Sequence, residues 1–414
     1  ASENWTDHDR SGRYIARDIA RNYLETCEQD AIIFTNGDND TFPLWYVQEV
    51  EGFRTDVRVV NLMLLNTEWY IDQMKMKAYK SEALPVTLPF SKYADGTNGS
   101  IYVKTDSRKI NVNTLINGIE SEHKLFREMT IKGEQVDVLP TANLILDVDT
   151  ALVVSNETVL PSNAQLIEKS ISWTLRDTPI SKANLIQLDL LANNKWKRPV
   201  YFVAGGNDGT LGLEDYFQLE GLAYRFVPLK TKSPDFYYEL GRIDTDILYE
   251  NLMNKFSWGK MNEPDVYLDY NNIRTLGVIK FRKTFVRLAE ALVQEGKNSK
   301  AEEVLDRCMY LAPNHKIPYD QFISGITYSG GKDKPDIHFS GVIEAYYKCG
   351  AIEKANKILL EFAQILQQDM DYYQSLGDRF KRRFESEAYQ SQSFYRELFY
   401  LAETYGQQDI LTGL

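Results

Sequence analysis

The pattern of apolar and polar positions changes character twice along the chain. Over residues 9–27, Ile15, Ala16, Ile19, Ala20, Tyr23 and Leu24 recur at helical spacing, which predicts a helix that Asp9 or Ser11 can cap. An apolar strand is predicted at 31–35, followed by the polar stretch Asn36-Gly37-Asp38-Asn39-Asp40-Thr41. A helix is predicted over 42–50, with Pro43 in its first turn and Gly52 past its end. A second apolar strand is predicted at 57–65. Asn66-Thr67-Glu68 then leads into a helix from Trp69 to about residue 79. Both strands are apolar at consecutive positions, as in a parallel sheet covered on both faces, and a right-handed crossover would make them neighbours.

Residues 81–184 break this rhythm. Pro85, Pro89 and Asp95-Gly96 punctuate short β-like pieces such as 101–104 and 143–148, which predicts an insertion with β character. A helix near 163–173 and a segment at 184–193 precede a strand at 198–204 that ends in Gly205-Gly206-Asn207-Asp208-Gly209. A helical piece near 213–220 and a strand at 223–227 follow. The expected fold is a Rossmann-like α/β domain with a parallel or mixed sheet, built from 1–80 and 185–270 around the insertion.

From about residue 271 to 414 the pattern is helical throughout. Leu288, Ala289, Leu292, Gly296, Ala301, Leu305, Cys308 and Pro313 fit a tetratricopeptide-like helix pair, whose period is about 34 residues. Small residues let the helices approach, Gly296 turns the chain, and Pro313 ends the second helix. Phe339, Val342, Tyr346, Gly350, Ala355, Leu359 and Phe362 give a second match. The expectation is a degenerate array of helical hairpins that packs against, or holds, a peptide or protein.

In parallel α/β sheets ligands bind beyond the carboxyl ends of the strands. Three such ends carry short polar residues here: 36–41, 66–68 and 205–208. If the strands are neighbours, Asn36, Asp38, Asn39, Asp40, Asn66, Glu68, Asn207 and Asp208 line one crevice. Asp38-Asn39-Asp40 is a DxD, a donor pair that would suit Mg²⁺ or Mn²⁺ beside a sugar diphosphate. Against that stands an ordinary role, with Asp40 or Thr41 capping the following helix and Asn66 or Thr67 capping the next. The glycine-rich turn is a common loop or an anion cradle. Asp7, His8, Asp9 and Arg10 set a histidine between two carboxylates, as an acid–base or metal group or as a salt-bridged cap. No P-loop, GxGxxG or Ser-His-Asp pattern is present.

Composition narrows the classes. With 47 basic and 59 acidic residues the net charge is −12, which argues against a nucleic-acid partner. No apolar run approaches the ~20 residues of a membrane span. The 26 Tyr, 19 Phe and 6 Trp fit core packing, or a surface that stacks on sugars or peptides. Cys27, Cys308 and Cys349 form neither a disulfide framework nor a zinc pattern and read as small buried residues. The chain starts without an initiator Met, like an excised piece of something larger.

Several motifs together resemble a family of multi-pass bacterial membrane proteins, GT-C-like and related to transmembrane protein O-mannosyltransferases. They are Asn4-Trp5-x-Asp7-His8-Asp9-Arg10-Ser11, the whole of 34–46, Asp56-Val57-Arg58-Val59-Val60-Asn61-Leu62, Trp69-Tyr70-Ile71, Trp196-Lys197-Arg198-Pro199-Val200-Tyr201-Phe202 and Glu220-Gly221-Leu222-Ala223-Tyr224-Arg225. The resemblance implies a soluble C-terminal region on the extracytoplasmic (periplasmic) face of the inner membrane. It implies that this region follows an N-terminal membrane region and ends in tetratricopeptide-like helices. The catalytic carboxylate of such enzymes usually sits on an early loop between membrane helices, so this part is expected to be inactive alone. Asp38 and Asp40 carry over as motif residues without an assigned catalytic role, as do Asp7, His8, Asp9, Arg10 and Arg198. Two other readings stay open: a metal-dependent nucleotide-sugar glycosyltransferase using the DxD, and a non-enzymatic scaffold whose polar loops are only caps.

Overall fold

In the computed structural model the apolar run after the first helix becomes a short strand, β1 (Ile32–Thr35), buried at every position. The structure describes residues 8–9, 11–176, 178–203, 209–231, 240–268, 278–319 and 340–412. They fall into two compact units, Arg17–Asn251 and a second made of Ala1–Ala16 with Leu252–Leu414.

In the first unit, helix α1 (Ile15–Thr26) leads into β1, helix α2 (Asp38–Glu49), strand β2 (Arg58–Asn61) and helix α3 (Glu68–Met74). The chain returns to the same sheet much later, through helix α6 (Lys182–Asn194) and strand β10 (Val200–Val203), then β11 (Phe217–Leu219), β12 (Ala223–Phe226) and β13 (Arg242–Ile243), before helix α7 (Thr245–Glu250). The sheet order is β13-β11-β12-β10-β1-β2. Its three-strand heart is parallel, with Ile32 opposite both Val200 and Arg58 and Phe34 opposite Phe202 and Val60. β12 runs antiparallel to β10 and to β11, so the sheet is mixed.

Side-chain alternation sends Ile33, Val59, Tyr201 and Val203 to one face, where they form a buried cluster with Ala20 and Leu24 of α1, Cys27 just after it, and Leu44 and Val47 of α2. The opposite face carries an aromatic layer, Phe34 to Phe202 at 5.1 Å and Phe202 to Phe217 at 4.9 Å between ring centres.

The stretch between α3 and α6 holds two small sheets. One has four strands in the order β5-β6-β3-β9, from β3 (Ser100–Val103), β5 (Arg127–Met129), β6 (Gln135–Leu139) and β9 (Ile180–Ser181). The other has three in the order β4-β7-β8, from β4 (Ile110–Asn111), β7 (Asn143–Asp147) and β8 (Ser170–Thr174). Helices α4 (Val112–Glu120) and α5 (Thr150–Ser155) accompany them. Asp189 of α6 ties this region down: its buried carboxylate accepts the Thr87 and Leu88 N–H groups and the Thr87 hydroxyl, each at 2.9 Å.

Four local expectations are corrected. Residues 163–173 are not a helix: a 3₁₀ turn ends at Leu166 and β8 follows, with Ile171 and Trp173 buried in alternation. Residues 213–220 form a 3₁₀ turn and then β11 rather than a helix. Helix α3 stops at Met74, where the Gln73, Met74 and Met76 carbonyls turn onto the Arg58 guanidinium at 3.0, 3.3 and 2.6 Å. The first helix starts at Ile15; Asp9 does not cap it but accepts the Ser11 N–H and hydroxyl at 2.9 and 2.6 Å.

The described part of the second unit is helical beyond residue 277. Helices α8 (Val278–Gln294) and α9 (Asn298–Leu311) form one hairpin, and α10 (Ser340–Cys349) and α11 (Ile352–Ser375) another. Leu288, Ala289, Leu292, Ala301, Leu305 and Cys308 are all buried, as are Val342, Tyr346, Ala355, Leu359 and Phe362. Gly296 and Gly350 make the turns at φ of 74° and 90°, a conformation open to a residue without Cβ. Phe339 lies outside the described residues. Arg282 secures the end of α9, donating to the Ala312 and Ile317 carbonyls at 2.6 and 2.7 Å. Helices α12 (Asp378–Arg383) and α13 (Glu385–Thr404) complete the unit.

Candidate functional site at the carboxyl edge of the sheet

The carboxyl ends of β1 and β2 meet in a buried polar knot. The Thr35 and Thr41 hydroxyls are 2.7 Å apart. Thr41 donates its one hydroxyl proton to the Gly37 carbonyl at 2.7 Å, so it accepts from Thr35 and from the Asn61 amide at 2.9 Å. The Asn61 carbonyl oxygen accepts the Met63 and Leu64 N–H groups at 2.9 and 3.0 Å, turning the chain sharply after β2. The Asn61 backbone N–H donates to the Tyr70 hydroxyl at 3.0 Å, and burial pushes that phenol up to about 12. Thr35, Thr41, Asn61 and Tyr70 are all within 2% of full burial.

This knot redefines the DxD. Helix α2 begins at Asp38, not at 42, with Gly37 at its N-cap and no side-chain cap. Neither Asp40 nor Thr41 is a cap, and Pro43 lies in the helix interior. The proline is tolerated because the carbonyl it leaves unpaired belongs to Asn39, an exposed residue that water reaches. Asp38 and Asp40 both sit in the first turn, where a negative charge complements the helix dipole. Two residues apart on a helix, they do not share a face. Asp38 is exposed, while the Asp40 charge acts on the partly buried phenol of Tyr23 in α1, which desolvation and that charge push up. Among the described residues, no group of three or more His, Cys, Asp or Glu could hold a metal ion.

The second loop is mostly absorbed into the framework. Asn66 accepts the Ala183 N–H at 3.1 Å in the first turn of α6, and it donates to the Leu62 and Met63 carbonyls at 3.2 and 3.3 Å. It therefore satisfies a first-turn N–H of α6, whose cap is Ser181, rather than capping α3. Thr67 holds the N-cap position of α3, but its hydroxyl turns back to the Leu64 carbonyl at 2.7 Å. Glu68 accepts the Asp95 N–H at 2.5 Å. The third loop returns to the same place. Gly209, at φ +81°, lies against Leu62, where a Cβ would come within 2.3 Å of Leu62 Cδ1, and its carbonyl accepts from Gln187 at 2.7 Å. Asn207 and Asp208 lie outside the described residues.

Subtracting these roles leaves a short list. Among the described residues, half-buried Asn36 and exposed Asp38 and Asn39 meet no hydrogen-bond partner. Close by are exposed apolar side chains: Phe42, one turn on from Asp38 (50% exposed, stacked on Trp45 at 5.6 Å), and Met63, against Gly37 (68%); Tyr46 (50%) follows one turn further along the same helix. Their signal was the lack of a polar face on the second helix. Leu44 and Val47 point inward while Phe42 and Tyr46 point out.

The remaining motif residues serve the amino edge and the core. Arg198 donates to the Asp30 and Glu82 carbonyls and the Ser81 hydroxyl at 2.7, 3.1 and 3.1 Å. Burial, together with nearby Arg58, pulls its pKa down. In the Glu220–Arg225 motif the two charges face each other inside the protein at 3.6 Å, and Tyr201 and Gln218 each donate to Glu220 at 2.7 Å. His8 and Asp9 are exposed and belong to the second unit; Asp7 and Arg10 lie outside the described residues.

Mixed-sheet topology, with the loops of two parallel strands and the return of a third at one edge, defines an α/β domain of the kind that binds ligands beyond its strand ends. The chain belongs to the family described as TMEM260-associated domain 2, whose model matches residues 16–247, close to the bounds of the α/β unit. A stretch of 71 residues, 17% of the chain, is 35% identical to the protein O-mannosyl-transferase TMEM260 of Mus musculus and covers 10% of that protein. The chain thus matches about a tenth of the length of that relative. No solved structure matches the chain significantly. Both comparisons thus relate the chain to TMEM260 proteins. No helix among the described residues is long and apolar enough to cross a membrane.

Proposed function

We propose that this chain is the extracytoplasmic, periplasmic domain of a GT-C-like bacterial membrane glycosyltransferase that modifies proteins, and that it is inactive alone. The observation that carries the reading is the edge formed by β1 and β2. There a fully satisfied buried knot fixes two polar side chains, Asn36 and Asp38, that satisfy nothing within the fold and are flanked by exposed rings. Aromatic faces with adjacent amide and carboxylate groups suit a sugar or a glycosylated segment, whose C–H faces stack while its hydroxyls donate. The relative's activity, protein O-mannosyl transfer, supplies the reaction class, and the N-terminal membrane region of the full-length protein supplies the catalytic carboxylate and the lipid-linked donor. The α/β unit helps form the acceptor or donor cleft. The helical hairpins, tetratricopeptide-like in their small-residue spacing, hold the protein acceptor.

The test is sugar transfer from a lipid-linked mannose donor to protein, in membranes containing the full-length protein and in the purified chain. Transfer by the membranes and none by the chain is the expected pair. Transfer by the chain alone would overturn the reading.

A further inference from the structure

Helix α11 outlasts the core that it packs on. Its buried positions run from Ala355 to Leu366 and stop there, although the helix continues to Ser375. The next buried residue is Ser391 in α13, so no residue from 367 to 390 is buried. The nine residues beyond Leu366 extend the helix by about 14 Å at 1.5 Å per residue. The result is a projecting hairpin arm with α12 at its tip.

The tip has an unusual composition for a chain of net charge −12. Arg379, Phe380, Lys381, Arg382 and Arg383 are consecutive and all exposed, with Phe380 at 48%. None of the four cations meets an ion-pair partner among the described residues. Asp378, Glu385 and Glu387 flank them in the first turns of α12 and α13, where they complement the helix dipoles. The tip is pinned from inside: the Tyr373 and Phe384 rings lie 6.1 Å apart across the arm, and the Arg383 guanidinium lies 5.7 Å from the Phe384 ring centre. Tyr372 and Tyr389, 57% and 55% exposed, add rings lower on the arm.

We propose that this arm is a membrane-surface contact, with the tip cations on anionic phospholipid headgroups and Phe380 in the interfacial layer. Charge complementarity selects the anionic partner. The exposed Phe380 among the cations selects a bilayer over an acidic polypeptide, because an anionic headgroup layer takes up both the charges and an apolar ring at its interface.

The test is sedimentation of the full chain with phosphatidylcholine vesicles, with and without phosphatidylglycerol. Each basic residue near an anionic surface contributes roughly fivefold to partitioning, so a variant with Arg379, Lys381, Arg382 and Arg383 all changed to Glu should bind at least about a hundredfold more weakly. The wild type should prefer the anionic vesicles and release them as salt rises. The Phe380→Trp variant, altered at an exposed site, should gain a blue-shifted emission component on binding that the wild type lacks, which reports the tip itself. Equal binding to both vesicle types, no blue shift in the Phe380→Trp variant beyond that of the wild type, or binding unchanged in the four-Glu variant would overturn the proposal. So would capture of poly-glutamate without any vesicle binding.

Discussion

Removing the Asn61 side chain should cost more than any other single polar deletion at the carboxyl edge. In Asn61→Ala, the Met63 and Leu64 N–H groups lose their acceptor and the Thr35–Thr41 pair loses a donor. Both N–H groups are only part-buried, so each stripped of its partner costs about 1–2 kcal/mol, at the low end of the range for orphaned donors, and the two set an expected loss of about 2–4 kcal/mol. Asn61→Asp keeps the acceptor for both N–H groups and loses only the donation to Thr41, so it should cost less than Asn61→Ala. Thr41→Val removes the other side of that donation, and a cycle between positions 41 and 61 should show coupling of about 0.5–3 kcal/mol. The assay is urea unfolding followed by tryptophan emission, with hydrogen exchange at the Met63 and Leu64 amides as the local readout. An Asn61→Ala protein within about 0.5 kcal/mol of wild type, with both amides still protected, would refute the view that this knot shapes the edge.

Other consequences follow from the same geometry. Arg198→Ala should lose about 2–4 kcal/mol by stranding carbonyls at the amino edge, and Arg198→Lys should not restore it, because one ammonium cannot span acceptors that the planar fork reaches; urea midpoints of both variants check this. The Arg17 hydrogen bond, with that of Arg21, holds the Glu51 carboxyl below its ordinary 4.5. A depressed folded-state value means that this contribution is complete above pH 4.5 and is lost as pH falls through the lower folded value. Thermal melts between pH 3 and 7 should show Glu51→Gln about 0.5–1 kcal/mol less stable than wild type at neutral pH, the gap closing in acid. Cys27, Cys308 and Cys349 are free and buried, and burial pushes Cys308 up to about 12. A thiol reagent should therefore label none of them in the native chain and all three after denaturation; rapid native labelling would contradict their placement.

The sheet's parallel heart was legible for a physical reason. Strands covered on both faces are apolar over consecutive positions, as at 31–34 and 200–203, and the crossover rule makes β1 and β2 neighbours, as found. The start of α2 was not legible, because Pro43 reads as a first-turn residue while the folded chain tolerates it deeper in the helix. β8 hid in plain view: Ile171, Trp173 and Leu175 alternate at strand spacing, but over a stretch too short to outweigh its helix-like surroundings. At the edge, the pattern placed Asn36 and Asp38 correctly beyond a strand end, yet carried no sign that Asn66 reaches Ala183. That contact spans 117 positions and exists only once α6 packs beside the turn at Leu64–Asn66. Nor could composition tell which rings stay outside. Phe34 and Phe42 are eight residues apart, one in the core and the other half exposed, and only the direction of each backbone segment separates them.

The central claim is that the edge carrying Asn36 and Asp38 takes part in glycosyl transfer by the full-length protein. Its most direct test is mannose transfer to protein in membranes containing the Asn36→Ala with Asp38→Asn variant, compared with wild type at equal protein level. Both side chains lack hydrogen-bond partners among the described residues, so the variant should lose no more than the Asp38 contribution to the α2 dipole, about 0.3–1 kcal/mol, and stay folded. The account predicts a loss of transfer of at least about tenfold, as for removal of one or two hydrogen bonds to a polar ligand. Wild-type transfer in that variant would contradict it.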